Sequence, residues 1–457
     1  MRYSARLRLL NNTPRLIRRH LHTTLFALLC SLAAQISSAA SVTAGQDTMD
    51  GIANDFVKAG LRFQNHDPLP YVYIGPPAWR TEARADTTTL DAQLEYLAGL
   101  SARITALPDT TDPLEARRRR DLLARLQALV TRGEIIAGTV PASFDEETQL
   151  LFGVVAPEYD EAHFRQLTAE LDNIIPGDGP LGARISAFRK QFVIPPEKLE
   201  LVIGRAMQEC REKTLAHVDL PPNESVTLNI TDDMPWVGFT EFRGNSQSTV
   251  HLNSSVPVHI ERAIELGCHE GYPGHHVHAS LIEQSVVKER GWNEYSYIAL
   301  VGPSAVIAEG AASYAMEVAF SREERVQFER DVLLPLANID GTELDTYYHF
   351  VDLIGELNYA RNEAARQYLY GGLPRDDAMR WLMEFGLETE GTAATRLNVI
   401  DAQRSYVITY NYGRKIVANY IESKPGQSAD AVWQSFIEIF TSPLSPIDLL
   451  AGDSSPQ

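Results

Sequence analysis

The residues with the clearest chemical potential lie in one short segment, between positions 269 and 278. Four histidines and a glutamate are crowded there: His269, Glu270, His275, His276 and His278. Histidine is seldom a preferred core residue, and neighbouring imidazoles repel once they are protonated, so packing explains this crowding poorly. Imidazole nitrogens and carboxylate oxygens are the usual ligands of catalytic zinc. The segment therefore predicts a Zn2+ site.

The spacing within this segment departs from the familiar His-Glu-x-x-His pattern, in which two histidines one helical turn apart bind zinc and the glutamate is the general base. Pro273 stands where the second histidine would be. Proline lacks an N–H and clashes with the carbonyl four residues earlier, so Pro273-Gly274 should interrupt or bulge the helix. Such a bulge could return either His275 or His276 to the face of His269, and spacing alone leaves both open as the second ligand.

The run His269-Glu270-Gly271-Tyr272-Pro273-Gly274-His275-His276 resembles the His-Glu-x-x-Pro-Gly-His-His signature of the domain-of-unknown-function 885 family. These bacterial proteins are grouped with the zincin-type metallopeptidases. The resemblance extends roughly over residues 230 to 415 and is weak over the N-terminal helices. It implies a zincin-like, gluzincin-type helical metallopeptidase in which Glu270 is the general base.

The resemblance also implies the remaining ligands. Gluzincins take a third ligand from a glutamate on a later helix, and Glu309-Gly310-Ala311-Ala312-Ser313-Tyr314 is similar to the Glu-Gly-Trp-Ala-x-Tyr-like motif of relatives, with Ala311 replacing Trp. Glu309 is then the third ligand. A comparison with thimet-type peptidases, whose motif contains Gly-His-x-x-His, favours His275 as the second ligand. His276 would then support the site or contact substrate, and His278 would be structural.

Two further site residues come from the C-terminal part of the same resemblance. The runs Arg404-Ser405-Tyr406 and Tyr410-Asn411-Tyr412-Gly413 are similar to a region where relatives carry an Arg-Tyr pair followed by Tyr-x-x-Gly. Tyr410 is expected to donate a hydrogen bond to the developing oxyanion. Arg404 is a candidate to bind a substrate carboxylate, although a structural ion pair is the alternative that is favoured for such an arginine. By analogy with zincins, the stretch Thr249 to Asn253 would be the edge strand that pairs with substrate.

The elements that must position these residues are mainly helical. Apolar residues recur three or four apart from Leu90 to Leu107, from Leu114 to Val130, from Phe164 to Ile174, from Leu199 to Met207 and beyond Ile260, as on one face of an amphipathic helix. Strand-like alternation is confined to residues 225–230 and 248–253. We therefore expect a mainly α fold with a small antiparallel β-sheet. Breaks at Pro and Gly divide the chain into a signal peptide (1–40), an N-terminal helical region (41–178) and a zincin-like catalytic region (179–457).

The N-terminus and the charge bear on where the protein acts. Basic residues precede an apolar run from Leu25 to Ile36 and small residues follow it, which is the order of an export signal to the periplasm or outside the cell. An organellar transit peptide is the alternative, and Leu29 before Cys30 disfavours a lipid anchor. Cleavage would lower the formal charge from −19 to −25, which excludes nucleic acid as a partner. We expect Arg117 to Arg120 to form a solvated helix face.

Cleavage of the signal would leave two cysteines, Cys210 and Cys268, which could form a disulfide or remain buried thiols. No other stretch has the ~20 apolar residues of a spanning helix, so membrane insertion is not expected after cleavage. The sequence thus predicts a zinc-dependent enzyme that hydrolyses peptide bonds in short peptides by metal-activated water. The alternatives are an amidase acting on cell-wall peptides and an exported zinc-binding protein without catalysis.

Overall fold

Helices make up most of the chain, as the spacing of its apolar residues predicts. The computed structural model describes residues 47–232, 234 and 237–452. The expected signal peptide, residues 1–40, lies outside these ranges. The α-helices are Met49–Phe63, Pro77–Arg84, Leu90–Thr105, Pro113–Ile136, Phe144–Phe152, Glu161–Ile174, Leu181–Lys190, Leu199–Leu215, Glu261–Leu266, His275–Leu281, Pro303–Ala319, Arg322–Phe328, Leu334–Ala337, Leu344–Leu357, Ala360–Leu369, Arg375–Glu384, Glu390–Gln403, Ile408–Glu422, Ala429–Thr441 and Pro446–Gly452.

Shorter helical turns join several of these helices. Three of them are π-helical: Gly267–Gly271, Ile282–Lys288 and Glu329–Leu333. The 3₁₀ turns are Pro196–Lys198, Asn293–Ser296 and Arg404–Val407. Among the described residues, none of the helices is long and apolar enough to cross a bilayer.

Many helices begin at a Ser, Thr or Asp whose side-chain oxygen accepts a hydrogen bond from a backbone N–H of the first turn. Such caps satisfy donors that have no partner inside the helix. They are Thr48, Thr89, Asp112, Ser143, Asp160, Ser321, Thr389 and Ser428. The starting points of these helices are therefore encoded in their local sequence.

In the part of the chain that the structure describes, five short strands form two small sheets. Strands β1 (Tyr71–Tyr73) and β5 (Tyr297–Ala299) pair antiparallel. Strands β2 (Ser225–Thr231), β3 (Gly238–Phe242) and β4 (Gln247–Asn253) form a sheet of order β2-β4-β3. The two strands predicted from alternation are confirmed, but their antiparallel pairing is wrong. β2 and β4 run parallel, because β3 lies between them in sequence and the chain reverses twice.

The apolar side chains form two cores. A smaller one lies among the first helices and includes Tyr297 of β5, and a larger one gathers side chains from Phe144 to Leu449. The described residues from Thr48 onward form one unit. The boundary expected near residue 178 falls in the loop between Glu161–Ile174 and Leu181–Lys190, and both of these helices contribute to the larger core.

The arginine run of helix Pro113–Ile136 is only partly a solvated face. Arg118 is buried and donates from Nε and Nη2 to the two carboxylate oxygens of Glu294, at 2.5 and 3.0 Å. Arg120 is half exposed and contacts Asp448. The expectation of full solvation was wrong for Arg118, because its side chain reaches a buried carboxylate far along the chain, which the sequence cannot reveal.

Candidate metal centre

The histidine segment, Gly267–Leu281, brings His269 and His275 together by interrupting a helix. Helix Glu261–Leu266 continues into the π-helical turn Gly267–Gly271, and Tyr272 then adopts an extended conformation. The Tyr272–Pro273 peptide is cis, and a new helix begins at His275. The two imidazole centroids lie 4.7 Å apart with nearly perpendicular planes. The interruption predicted at Pro273-Gly274 is confirmed, and it is His275 that faces His269.

Gly274 is the position at which this turn admits no side chain. A Cβ built there would collide with the carbonyl oxygens of His269 and Cys268. The backbone N–H of Gly274 donates to the Cys268 carbonyl at 2.9 Å. Only glycine allows so close an approach of two backbone segments. The motif therefore has two functions: its Pro-Gly pair shapes the backbone, and its histidines supply the chemical groups.

Glu309 completes the cluster from the glutamate helix, Pro303–Ala319. Its Oε2 lies 3.5 Å from Nε2 of His269 and 3.6 Å from Nε2 of His275. One ligand atom from each of the three residues lies within 4.8 Å of the others. Tyr406 donates to Oε1 of Glu309 at 2.8 Å. Oε2 is buried and has no hydrogen-bond partner among the described residues.

These features fit a bound cation. A buried carboxylate oxygen without a partner is costly, and the free Oε2 points toward two imidazole nitrogens. The side chains of His269, His275 and Glu309 are 12%, 22% and 13% exposed, so an ion could still reach them. Two imidazoles and one carboxylate are a donor set of catalytic zinc.

The charges in the cluster are coupled. Burial favours the neutral acid of Glu309, but the neighbouring His275 and His269 rings hold the pKa of its carboxyl well below the usual range. Burial likewise opposes the charged form of His275, and the Glu309 carboxylate nevertheless raises the pKa of that imidazole. Glu309 is therefore ionised across the physiological range, which is the state required of a metal ligand.

Glu270 is held beside the cluster by strand β3. Its side chain is almost fully buried, and Thr240 Oγ1 lies 2.6 Å from its Oε2 and 2.9 Å from its backbone oxygen. A Cβ on Gly238 would come within 3.1 Å of Oε1. In the described sheet β3 is an outer strand, whereas Thr249 to Asn253 lies in the central strand β4. The edge-strand role expected for Thr249 to Asn253 was wrong, and β3 is the outer strand next to Glu270.

Tyr410 lies at the surface of the cluster. Its side chain is 45% exposed, and its ring is nearly parallel to that of His269 at a centroid separation of 6.5 Å. Burial and the Glu309 charge raise the pKa of its phenol well above the ordinary value. The hydroxyl therefore stays protonated and can act as a hydrogen-bond donor at neutral pH.

Two glycines bring the tyrosine helix, Ile408–Glu422, against the glutamate helix. A Cβ on Gly310 would lie 2.5 Å from the carbonyl of Gly413, and a Cβ on Gly413 would lie 2.9 Å from the carbonyl oxygen of Val306. The two helices thus cross backbone to backbone. This crossing places Tyr410 and the preceding Tyr406 next to Glu309, so the glycines of both sequence motifs serve the same contact.

His276 is directed into the protein, away from the cluster. Its side chain is fully buried, Nδ1 lies 2.8 Å from Ser248 Oγ, and Nε2 lies 3.1 Å from Glu224 Oε2. Tyr272 donates to the same oxygen of Glu224 at 2.6 Å, and Arg211 also pairs with this carboxylate. Both ring nitrogens are engaged, which leaves no ring atom for the predicted substrate contact. His276 instead connects the histidine segment to β4 and to Glu224, the residue that precedes β2.

The structural role expected of His278 agrees with its surroundings. Its ring stacks on Phe440 at a centroid distance of 4.4 Å. Burial, together with the charge of His275, lowers the pKa of His278 to about 3. The imidazole is therefore neutral and acts as a packing group.

Arg404 is engaged in an ion pair. Its Nε donates to Oε2 of the fully buried Glu147 at 2.7 Å, and Nη2 lies 3.0 Å from the Tyr370 hydroxyl. Ser405 donates to Glu147 from its backbone N–H and from its hydroxyl. The ion-pair alternative describes this arrangement, and the carboxylate-binding role does not fit it. Glu147 thereby fixes the turn that leads into Tyr406.

Several residues that shape the site were not identified from the sequence. Tyr406 lies in the quoted Arg-Ser-Tyr run, so a signal existed, but no role was assigned to it. Thr240 belongs to a strand whose pattern is interrupted by aromatics and glycine. Glu224 is an isolated acid in its local sequence, whereas Glu147 is the last of the three consecutive acids that begin at Asp145; in both cases only tertiary contacts reveal what the side chain binds.

Cys210 and Cys268 form a disulfide, with 5.6 Å between their Cα atoms. This decides between the two states left open by the sequence. The bridge links helix Leu199–Leu215 to the residue that precedes His269. It anchors the start of the histidine segment covalently.

Comparisons with known proteins are sparse. The chain matches no family model and no curated protein. It is similar to a solved structure from Colwellia psychrerythraea, a protein provisionally assigned as a lipoprotein, at 14% identity and a TM-score of 0.48, covering 88% of this chain and 75% of that chain. A provisional lipoprotein of unknown function from Shewanella oneidensis gives 13% identity and a TM-score of 0.41, covering 93% and 85%. These scores are too low to support a functional argument, and membership of the domain-of-unknown-function 885 family stays a prediction.

Proposed function

We propose that this chain is a zinc-dependent peptidase that hydrolyses peptide bonds in short peptides. The observation that carries the proposal is the convergence of His269, His275 and the unpartnered Oε2 of Glu309. Three protein ligands leave one position for water, which distinguishes a catalytic zinc site from a closed structural one. Further support comes from a fourth residue, Glu270, which lies next to a ligand in sequence and is absent from the ligand set.

His269, His275 and Glu309 would hold the zinc, which would supply a Lewis acid for the substrate carbonyl and would bring the pKa of water near neutrality. Glu270 is the group that takes the proton from that water and returns it to the leaving amine. Its hydrogen bond with Thr240 orients the carboxylate. Because Thr240 and Gly238 both belong to β3, this strand positions the base and can also hold an extended peptide along its outer edge.

Tyr410 is the proposed donor to the oxygen that becomes negative during attack on the peptide carbonyl. Its raised pKa keeps the proton on the phenol, and the residue lies beside the ligand cluster with its ring nearly parallel to that of His269. Tyr406 has a different task. It occupies Oε1 of Glu309 and so leaves Oε2 for the metal.

The same proposal includes action outside the cytoplasm. Disulfides persist in oxidising compartments and are rare in the cytosol, so the Cys210–Cys268 bridge supports the export expected from the N-terminal sequence. Substrates would then be peptides of the periplasm or surroundings, and cell-wall peptides belong to this class as the alternative substrate.

Glu270→Gln tests the proposal. Turnover of a peptide library should fall at least about 100-fold, the lower range for a lost general base, while zinc content measured by mass spectrometry stays near one per chain. Glu289→Gln is the control: it removes an exposed carboxylate directly after the π-helical turn Ile282–Lys288 and should change neither turnover nor zinc content. Undiminished turnover in Glu270→Gln would refute the mechanism. Peptidoglycan fragments assayed in parallel would reveal the amidase, and zinc-loaded wild-type protein without turnover of either substrate would favour the non-catalytic alternative.

A further inference from the structure

Three partly buried arginines lie together beside the candidate metal centre, and we call Arg262, Arg361 and Arg396 the arginine cluster. Nε of Arg361 and Nε of Arg396 lie 2.9 and 3.4 Å from the same oxygen, Oε1 of Glu388. Burial, with the charge of Arg396, lowers the pKa of Arg361 to about 10, and Arg262 acts in the same direction. The three cations are therefore close enough to repel one another.

The positive charges of Arg361 and Arg396 exceed the negative charge of their carboxylate partner. Arg262 forms an ion pair with Glu265 and also lies near Glu261, and the other two arginines share Glu388, so the pair Arg361 and Arg396 has a single carboxylate partner. Both contacts to Glu388 engage Nε, and within the described ranges the terminal nitrogens of Arg361 and Arg396 make no hydrogen bond. The side chains of these two arginines are 29% and 34% exposed. No described residue therefore competes with a substrate carboxylate for these terminal nitrogens.

The burial and the backbone of Glu388 suit it to hold the guanidinium groups of Arg361 and Arg396 in place. Its side chain is only 5% exposed, and its second oxygen is buried without a hydrogen-bond partner in the described structure. The preceding Leu387 has a φ of 53°, a left-handed conformation that is unfavourable for leucine. Strained backbone of this kind persists where the surroundings require it, often at binding sites. Glu388 therefore acts as a positioning residue that orients two guanidinium groups.

Hydrogen bonds connect the cluster to the tyrosine helix. Arg361 is followed by Asn362, whose side-chain amide exchanges two 3.0 Å hydrogen bonds with that of Asn411. Asn411 follows Tyr410. Arg396 acts on Tyr410 directly, because its charge opposes the rise in the phenol pKa that burial and Glu309 cause. The arginine cluster and the proposed oxyanion donor are therefore neighbours.

The position of Arg262 in the sequence indicates how far the arginine cluster lies from the metal ligands. It lies seven residues before His269, on a helix that runs directly into the histidine segment. Seven residues rise about 10 Å along an α-helix, and because the π-helical turn Gly267–Gly271 lies within this stretch, this rise gives the scale of the separation and not a shared helix face. An extended peptide spans about 3.3 Å per residue. A substrate cleaved at the metal would reach the cluster with its second or third residue beyond the cut.

We propose that the arginine cluster binds the C-terminal carboxylate of the peptide substrate, so that the enzyme releases dipeptides or tripeptides from the C-terminus. This inference rests on the proposed peptidase function and specifies its substrate end. The arginine cluster thereby takes the carboxylate-binding role that Arg404 cannot fill, since the guanidinium of Arg404 is paired with Glu147. A free C-terminus is then the feature that distinguishes substrates from amidated chains.

The test compares matched peptides that end in a free carboxylate or in an amide. Wild-type kcat/KM should be at least about tenfold higher for the free acid, with dipeptide or tripeptide products in mass spectra. Arg361→Gln and Arg396→Gln should each lower kcat/KM for the free acid by about 10- to 100-fold and leave the amide value nearly unchanged. Arg375→Gln is the control, because Arg375 pairs with Asp401 and Asn398 on the helix that carries Arg396.

A binding assay separates this inference from the peptidase proposal. The inactive Glu270→Gln variant should bind a fluorescent free-acid peptide more tightly than its amide, and adding Arg396→Gln should abolish the difference. Equal hydrolysis and equal binding of the two peptides would overturn the carboxylate site and leave the peptidase standing. An equal loss for both peptides in the arginine variants would show a structural role and overturn it too. Acid-selective binding without any hydrolysis by wild-type protein would support the cluster and defeat the peptidase.

Discussion

The two sides of the candidate metal centre are assembled over very different distances along the chain. His269 and His275 come from one short segment, whereas the hydrogen bond that orients Glu309 comes from Tyr406, 97 residues further along the chain. The near side depends on a turn, and the far side depends on two helices that must cross closely. The difference teaches that a metal site can be half encoded by a motif and half by packing.

Each side is supported by its own contacts. On the near side, Glu224 accepts hydrogen bonds from Tyr272 and His276, and the Cys210–Cys268 disulfide anchors the segment. On the far side, the Gly310–Gly413 contact sets the helix crossing. Removing support from one side should leave the fold of the other intact, which makes the comparison testable.

The largest effect is expected from removing the far-side ligand. Glu309→Gln keeps the shape of the side chain but replaces the anionic oxygen that faces both imidazoles. Zinc affinity should fall by more than about 100-fold, beyond the 10- to 100-fold typical of residues that merely support ligands, and turnover should be lost. Competition with a chelator measures the affinity. Glu317→Gln removes a carboxylate of the same helix, one that is paired with Arg414, and this variant should bind zinc normally. An equal loss of zinc affinity in Glu317→Gln would contradict the assignment of Glu309 as a ligand.

Sequence alone identified the near side more completely than the far side. The crowding of histidines and the helix-breaking Pro273-Gly274 are local features, so the interruption was predictable, and the helices followed from apolar spacing. Whether His275 or His276 faces the ligand depends on the geometry of the turn, and only the resemblance favoured His275. His276 and Arg404 were assigned to substrate because nothing in the sequence reveals Glu224 or Glu147, their buried partners. Strand direction was missed because β3 lies in a stretch without clear alternation.

The next largest effect concerns the near side and is pH dependent. Burial opposes ionisation of Glu224, but hydrogen bonds from His276, Tyr272 and Arg211 lower the pKa of its carboxyl to about 2, from an ordinary value of 4.5. Because the folded-state pKa is depressed, the stabilisation is present above the unfolded-state pKa and is lost as the pH falls toward the folded-state value. At about 1.4 kcal/mol per pH unit, it reaches at most about 3 kcal/mol.

Urea unfolding of the chelator-treated wild type and Glu224→Gln between pH 6 and pH 3 measures this contribution. The difference in unfolding free energy should be greatest at pH 6 and should shrink below about pH 4.5. Other carboxylates titrate in both proteins and cancel in the difference. A difference that stays constant with pH would mean that the ionised carboxylate does not hold the turn.

The smallest effect tests the far side through its helix crossing. Gly310→Ala places a methyl group 2.5 Å from the Gly413 carbonyl, where only backbone movement can relieve the clash. Overpacking of this kind costs about 1–3 kcal/mol, and because Glu309 is the adjacent residue, zinc affinity should fall with stability. Gly355→Ala is the matched control, since a Cβ there meets no atom within 4 Å and alanine in a helix stabilises by up to about 1 kcal/mol. Urea unfolding and chelator competition measure stability and zinc affinity in both variants. If Gly310→Ala loses stability while its zinc affinity is unchanged, the helix crossing supports the fold without positioning Glu309. Tyr406 alone would then hold the far side.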